Sequence, residues 1–197
     1  MLDRLLRTFD GPRGPRRLAL LAWMLALPAL ALGFQTDDHV YASARVEGMP
    51  AWQLFTITGA RMVRMRELGV FTWWSSPRLA IDFFRPLASL NHWVEYGLFP
   101  NAPAWMLLIN TLLYAAIVGM AAVLYRKLAP GASIAAFAGL TYAIDDTHAY
   151  SVGWISARNT LLAVAFSLAA LLTHIASRER RSQWLQARTR RSALEWR

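Results

Sequence analysis

Apolar residues are gathered in long blocks along this chain, rather than in the short periods of a soluble protein. Four blocks are long enough to be considered as membrane helices, at residues 18–34, 103–125, 131–148 and 152–175. A span requires about 20 apolar residues, with about 17 as the lower limit. The second and fourth blocks exceed that length, and the third reaches it only by including its acidic end. The pattern predicts an all-α, polytopic membrane protein with about four transmembrane helices.

Basic residues are placed unevenly, and their positions predict the orientation of these blocks. Fourteen of the 21 Lys and Arg residues lie in the leader 1–17, between the second and third blocks, or in the tail 176–197. The positive-inside rule makes these segments cytoplasmic. Segment 35–102 carries six Arg against six acids and is predicted to be external, which in a bacterium is the periplasmic face of the inner membrane. Topology thus accounts for the basic composition, and we expect no nucleic-acid partner.

The first block has a second interpretation. A basic leader, an apolar core and the small-residue stretch Ala29–Ala31 are also typical of a secretory signal peptide. The apolar run is longer than the usual signal core, and an acidic pair follows it at once, which favours a retained helix. The chain has no cysteine, so disulfide and thiolate chemistry are excluded.

The external segment 35–102 is too apolar for an ordinary loop. Pro77 and Pro86 interrupt it, which predicts two or three short helices lying along the membrane. Arg61 and Arg64 lie one turn apart, and they either contact anionic membrane lipids or bind a substrate phosphate. The apolar residues that we expect on one face beside them are Trp52, Phe55, Met62, Met65 and Leu68.

Two of the apolar blocks end in an acidic pair followed by a histidine. These are Asp37-Asp38-His39 after the first block and Asp145-Asp146-Thr147-His148 at the end of the third. Carboxylates at the mouth of a membrane segment are costly unless they are paired or used, and the helix dipole disfavours them at a C-terminal end. Because both pairs face outward, we interpret them as parts of one site.

The fourth block begins GWISARNTLLAV, which places Arg158 and Asn159 one to two turns below the outer surface. A buried arginine requires an anion. One possibility is a salt bridge with Asp145 or Asp146, and another is a phosphate held by the guanidinium fork. The two roles are compatible if the bridge opens when substrate arrives.

These residues resemble a known family. The runs QTDDHV, FFRPLASLNHWVEYGLFPNAPAWMLLINTLLY and AIDDTHAYSVGWISARNTLL are similar to the N-terminal half of GT-C membrane glycosyltransferases, in the bacterial branch akin to protein O-mannosyltransferases and their tetratricopeptide-bearing relatives. The matching features are Asp37-Asp38, Arg85-Pro86-Leu87, Asn110, and the run from Val152 to Arg158. The chain departs from the family at Trp105 and Tyr114, where relatives often carry histidine, and at Asp145-Asp146, where many have His-Pro.

The resemblance implies a polyprenyl-phosphate-linked sugar as donor. Asp37 or Asp38 would then deprotonate the acceptor hydroxyl, and Arg85 or Arg158 would stabilise the departing phosphate. Asn159 is also expected to bind the substrate. Asp145, Asp146 and His148 would hold the acceptor or a divalent cation. No metal ligand is assigned, no cofactor is committed to beyond this possible divalent cation, and the sugar and the protein or glycan acceptor stay open.

Two other classes remain as alternatives. A transporter would also place carboxylates near membrane helices, although it should keep some near the midplane. A non-catalytic membrane protein would tolerate replacement of the acidic pairs. Family members run to further spans, and this chain ends in a basic stretch that is typical of a loop before a fifth span. We therefore expect a fragment, which is inactive alone if the missing spans complete the site.

Overall fold

The computed structural model describes residues 2–129 and 131–195. Helices account for 77% of the chain and strands for 2%, which confirms the all-α prediction. The helices are α1 (Leu2–Asp10), α2 (Gly14–Ala26), α3 (Thr36–Val46), α4 (Gly59–Glu67), α5 (Pro86–Leu98), α6 (Pro103–Leu128), α7 (Ala132–Ile144), α8 (Ala149–Gly153) and α9 (Arg158–Glu195). Short 3₁₀ turns at Leu27–Ala31, Ala51–Gln53, Asp146–His148 and Ile155–Ala157 join several of them.

Two stretches of helix are long and apolar enough to cross a membrane. They are α6, with 26 residues and a mean hydropathy of 2.2, and Ile155–Gln186, with 32 residues and 1.8. A third candidate is the pair Gly14–Ala31 and Thr36–Val46, which is bent by 71° at its break. The described part of the chain therefore has two or three helices long and apolar enough for a membrane.

The third predicted block differs from the expected continuous helix. Helix α7 covers 13 residues, which corresponds to about 20 Å against the roughly 30 Å of a hydrocarbon core. It ends because the backbone of Asp145 is extended and its side chain accepts a hydrogen bond from the Thr147 amide. Such local side-chain bonds compete with continuation of a helix. The acidic residues thus terminate α7 instead of extending it.

The chain divides into two compact units, and one of them is built mainly from the apolar helices. This first unit combines residues within 1–27, 111–149 and 160–197. In it α7 packs against α1 and α2, and Leu18 on α2 is in close contact with Gly139. On its surface Lys127 forms a 2.8 Å ion pair with Glu179. The predicted leader 1–17 contains α1 and the beginning of α2.

The second unit combines residues 28–110 and 150–159 and contains the predicted external segment. Helices α3, α4 and α5 were expected as short helices, but the antiparallel pair β1 (Thr56–Ile57) and β2 (Ile81–Asp82) was not. Ile57, Met62 and Met65 form a small hydrophobic cluster between these elements. The expected apolar face is therefore divided, with Phe55, Met62 and Met65 buried but Trp52 and Leu68 exposed.

Helix α9 is longer than the predicted span 152–175 and continues through the predicted tail to Glu195. Residues 152 and 153 belong to α8 instead, because the 3₁₀ turn Ile155–Ala157 separates the two helices. The tail was predicted to be a basic cytoplasmic segment, and several of the arginines on which that prediction depends lie outside the described residues. These are Arg197 and the side chains of Arg188, Arg190 and Arg191.

Candidate functional site

The second unit contains a buried arginine with a complete set of partners. Arg158, the first residue of α9, has no exposed surface. Its Nη1 donates hydrogen bonds to Glu95 Oε2 and Asn91 Oδ1, both on α5. Its Nη2 donates to the Met106 carbonyl at 2.6 Å, and its Nε donates to Asn110 Oδ1 at 2.6 Å. The guanidinium therefore joins the start of α9 to α5 and α6.

Asn110 completes this network from α6. Its side-chain amide donates to the carbonyls of Val152 and Trp154, at 3.1 Å each. The Val152 carbonyl lies at the end of α8 and that of Trp154 just beyond it, where the helix is not continued and acceptors would otherwise be left unpaired. Asn110 therefore links α6 by hydrogen bonds to the end of α8 and to the start of α9.

The ion pair of Arg158 differs from the one expected from the sequence. Its partner is Glu95, which is 3% exposed, rather than Asp145 or Asp146. Glu95 lies on α5, whose inner face meets the beginning of α9 within the same unit. This pairing neutralises both buried charges, which is the condition under which a protein tolerates them.

Asp38 is the buried member of the first acidic pair. It has no exposed surface, and its Oδ1 accepts hydrogen bonds from the amide of Ser156, at 2.9 Å, and from the Ser156 hydroxyl. Its Oδ2 accepts from the Gln35 amide at 2.9 Å. Asp38 therefore closes the first turn of α3 and ties it to the turn that precedes α9. Contrary to the expectation for a helix C-terminus, the pair lies at the favourable N-terminal end of α3.

Asp37 is exposed, unlike its neighbour. It lies close enough to the Tyr41 hydroxyl to act on it electrostatically, as does Arg85 from the start of α5. Asp37 and Arg85 thus approach the same side chain of α3. The adjacent, fully hydrogen-bonded Asp38 holds the backbone of Asp37 in place.

Arg85 is partly buried over two aromatic rings. Its guanidinium carbon lies 4.4 Å from the centre of the Phe83 ring and 5.3 Å from that of Phe55. Its Nη1 donates a long hydrogen bond, 3.4 Å, to Asn159 Oδ1. Arg85 and Asn159, predicted separately as substrate-binding residues, therefore lie together. Arg85 has no carboxylate within ion-pair distance in the described part of the chain, so its charge is available to a ligand.

Several polar residues on the inner face of α5 were not predicted from the sequence. His92 is fully buried between the rings of Phe55 and Tyr96, and neither ring nitrogen has a partner among the described residues. Burial, with a smaller effect of Arg158, lowers the pKa of His92 to about 3, so it is neutral at physiological pH. The spacing Asn91, His92 and Glu95 within an apolar helix was the available signal, because residues three and four apart share a helix face.

The second acidic group belongs to the first unit. Asp145 and Asp146 are exposed, and Asp145 accepts hydrogen bonds from the Thr147 amide, at 3.0 Å, and the Thr147 hydroxyl, at 2.8 Å. These bonds lower the pKa of Asp145, so it stays ionised. His148 packs against Tyr142 and Tyr114, with ring centres 4.6 Å and 5.2 Å apart. Asp145, Asp146 and His148 are thus one local group, separate in sequence and unit from the residues around Asp37.

The described residues contain no group of three or more His, Cys, Asp or Glu side chains that could hold a metal ion. A divalent cation bound by the second acidic pair stays a prediction. The sequence matches no protein-family model, and comparison with the curated proteins and with the solved structures gives no match.

Proposed function

We propose that this chain is the N-terminal module of a membrane glycosyltransferase of the GT-C kind, which transfers a sugar from a polyprenyl-phosphate donor to an acceptor hydroxyl. The resemblance of its motifs supports this proposal. The observation that carries it is that the exposed carboxylate of Asp37, next to the capped Asp38, and the uncompensated guanidinium of Arg85 both act electrostatically on the Tyr41 side chain. Displacement of a sugar from a phosphate requires a base and a cation in one site.

In this proposal Asp37 accepts the proton of the acceptor hydroxyl. The acceptor oxygen forms a bond to the anomeric carbon while the bond between that carbon and the phosphate oxygen breaks, and polyprenyl phosphate leaves. Arg85, with Asn159 beside it, stabilises the charge on the departing phosphate. Arg158 has no exposed surface, so we assign it a positioning role instead of phosphate contact. Contact of Asp145, Asp146 or His148 with the acceptor stays a prediction.

The proposal includes a topology. Both termini are cytoplasmic, segment 35–102 is external, and four spans cross the inner membrane of a bacterium, with α7 as a short third span. The charge distribution supports this arrangement. Donor and acceptor would then meet at the outer face, among membrane lipids.

The test uses Asp37→Asn in the full chain, assayed in the membranes in which it is expressed. The substrate is a polyprenyl phosphate carrying a radiolabelled hexose, and the measurement is transfer of label from the lipid phase. We expect turnover to fall by about 10²–10⁴-fold, because Asn keeps the shape but is not a base. Glu67→Gln is the matched control, since Glu67 is an exposed acid of the same segment. Equal turnover in the two variants would remove Asp37 from the chemistry.

A non-catalytic membrane protein is the second candidate. The saturated contacts of Arg158 and Asp38 favour it, because buried polar networks also serve to specify a structure. It predicts that membranes containing the wild-type chain transfer no more label than membranes without it. A transporter is disfavoured, since neither 103–128 nor 158–178 contains an acidic residue.

A further inference from the structure

A cavity of about 300 Å³ lies beside α4 in the second unit, and it shares no residue with the Arg158 network. Its size is at the lower end for small-ligand sites, which hold about 300–1,000 Å³. The residues that line it are Glu47, Met49, Ala60, Arg61, Arg64 and Met65. Two arginines and one acid give this cavity a net positive charge.

Arg61 is held rigidly in the wall of this cavity. Its Nη1 donates to the Thr56 carbonyl at 3.0 Å and to the Met49 sulfur at 2.9 Å, and its Nη2 donates to the Val40 carbonyl at 3.1 Å. All of these acceptors are neutral. Its Nε is buried and has no partner among the described residues. The guanidinium is therefore preorganised, and none of these hydrogen bonds is to a charged group.

The charge of Arg61 is also poorly compensated. In the described part of the chain it forms no ion pair, and burial lowers its pKa, an effect that the field of Glu47 opposes. Arg61 is half-buried, and taking a cation out of water without an ion pair is costly, so a bound anion would reduce that cost. Arg64, one turn along α4, is exposed at the same cavity. The two arginines, three residues apart on one face of α4, can therefore both contact one anion.

We propose that this cavity binds the phosphate group of a phosphate ester. Arginine suits phosphate because its planar donors match the oxygens of the group. Met49, Met65 and Ala60 provide an apolar wall for the carbon part of the ester. The ester is either the headgroup of an anionic phospholipid or a soluble phosphate, and both present the same group to Arg61 and Arg64. This site is independent of sugar transfer.

The test uses the purified full chain in a neutral detergent. Two probes are titrated by calorimetry, dihexanoyl phosphatidylglycerol and inorganic phosphate. We expect Arg61→Gln and Arg64→Gln each to weaken binding by about tenfold, since each removes a charge-assisted hydrogen bond. Arg78→Gln is the matched control, because Arg78 is an exposed arginine of the same segment outside the cavity. It should bind as the wild type does.

The two probes identify the source of the phosphate. Binding of the lipid without competition from inorganic phosphate assigns the cavity to a headgroup, and competition assigns it to phosphate itself. If Arg61→Gln does not fold, Arg64→Gln decides the matter because Arg64 is exposed. The proposal is overturned if the wild-type chain binds neither probe, or if Arg64→Gln binds both as well as Arg78→Gln does.

Discussion

Arg158 and Glu95 are buried together, so each charge depends on the other. Their side chains are 0% and 3% exposed, whereas those of Lys127 and Glu179 in the surface pair are 32% and 50% exposed. Removing one partner of a buried pair leaves an uncompensated charge in a low-dielectric interior. When one partner of an exposed pair is removed, water solvates the charge that remains. The same type of contact therefore has very different consequences at the two positions.

The first prediction compares these two pairs. Arg158→Ala should destabilise the protein by about 3–5 kcal/mol, because it strands Glu95. Lys127→Ala should cost less than about 1 kcal/mol. The measurement is the midpoint of thermal unfolding in detergent. A combined Arg158→Met, Glu95→Leu variant should recover part of the loss, and equal shifts in the two alanine variants would contradict the assignment.

The second prediction concerns His92 and pH. Its pKa is lowered from 6.5 to about 3 in the folded protein, so between these values the unfolded chain binds the extra proton. Stability should therefore fall as pH decreases from about 6.5 to about 3, by at most about 1.4 kcal/mol per pH unit. His92→Phe keeps the aromatic ring and should flatten this part of the profile. Parallel profiles for variant and wild type would show that His92 does not titrate this way.

At the scale of elements, the joint between α1 and α2 has little room. A Cβ atom on Gly14 would lie 1.8 Å from the carbonyl oxygen of Phe9, which is backbone and cannot turn aside. At Gly11, in the same joint, a Cβ atom would meet nothing within 4 Å. Comparing substitutions at the two glycines therefore distinguishes a packing requirement from an effect on chain flexibility.

The third prediction follows from this difference. Gly14→Ala should destabilise the protein by about 1–3 kcal/mol, because the clash exceeds the gain from a better helix former. Gly11→Ala should stay within about 0.5 kcal/mol of the wild type. Thermal unfolding of both variants in the same detergent is the measurement. A stable Gly14→Ala protein would mean that α1 does not lie against the start of α2.

At the scale of the whole molecule, the apolar helices and the polar segment 35–102 require different surroundings. Helix α6 and the helical stretch Ile155–Gln186 match the thickness of a membrane. Segment 35–102 carries short helices, the buried Glu95 and exposed charged side chains such as Asp37 and Arg64. The proposed topology places this segment outside and the basic termini inside.

The fourth prediction tests that topology with single cysteines. The chain has none, so Ser76→Cys and Ser182→Cys are each the only thiol. Both serines are exposed. In intact cells an impermeant maleimide should label position 76 alone, and after permeabilisation it should label both. Labelling of position 182 alone in intact cells would invert the orientation.

The sequence by itself determined the helical class and the two long apolar helices, because apolar blocks are local properties of a chain, and its charges in apolar surroundings directed attention to Asp37, Asp38, Arg85 and Arg158. Only the tertiary structure decided that Glu95 is the partner of Arg158, 63 positions away, and that Asp38 bonds to Ser156, 118 positions away. It also decided which member of the acidic pair is exposed. Such choices depend on which distant side chains share a desolvated interior, and no local pattern contains that information.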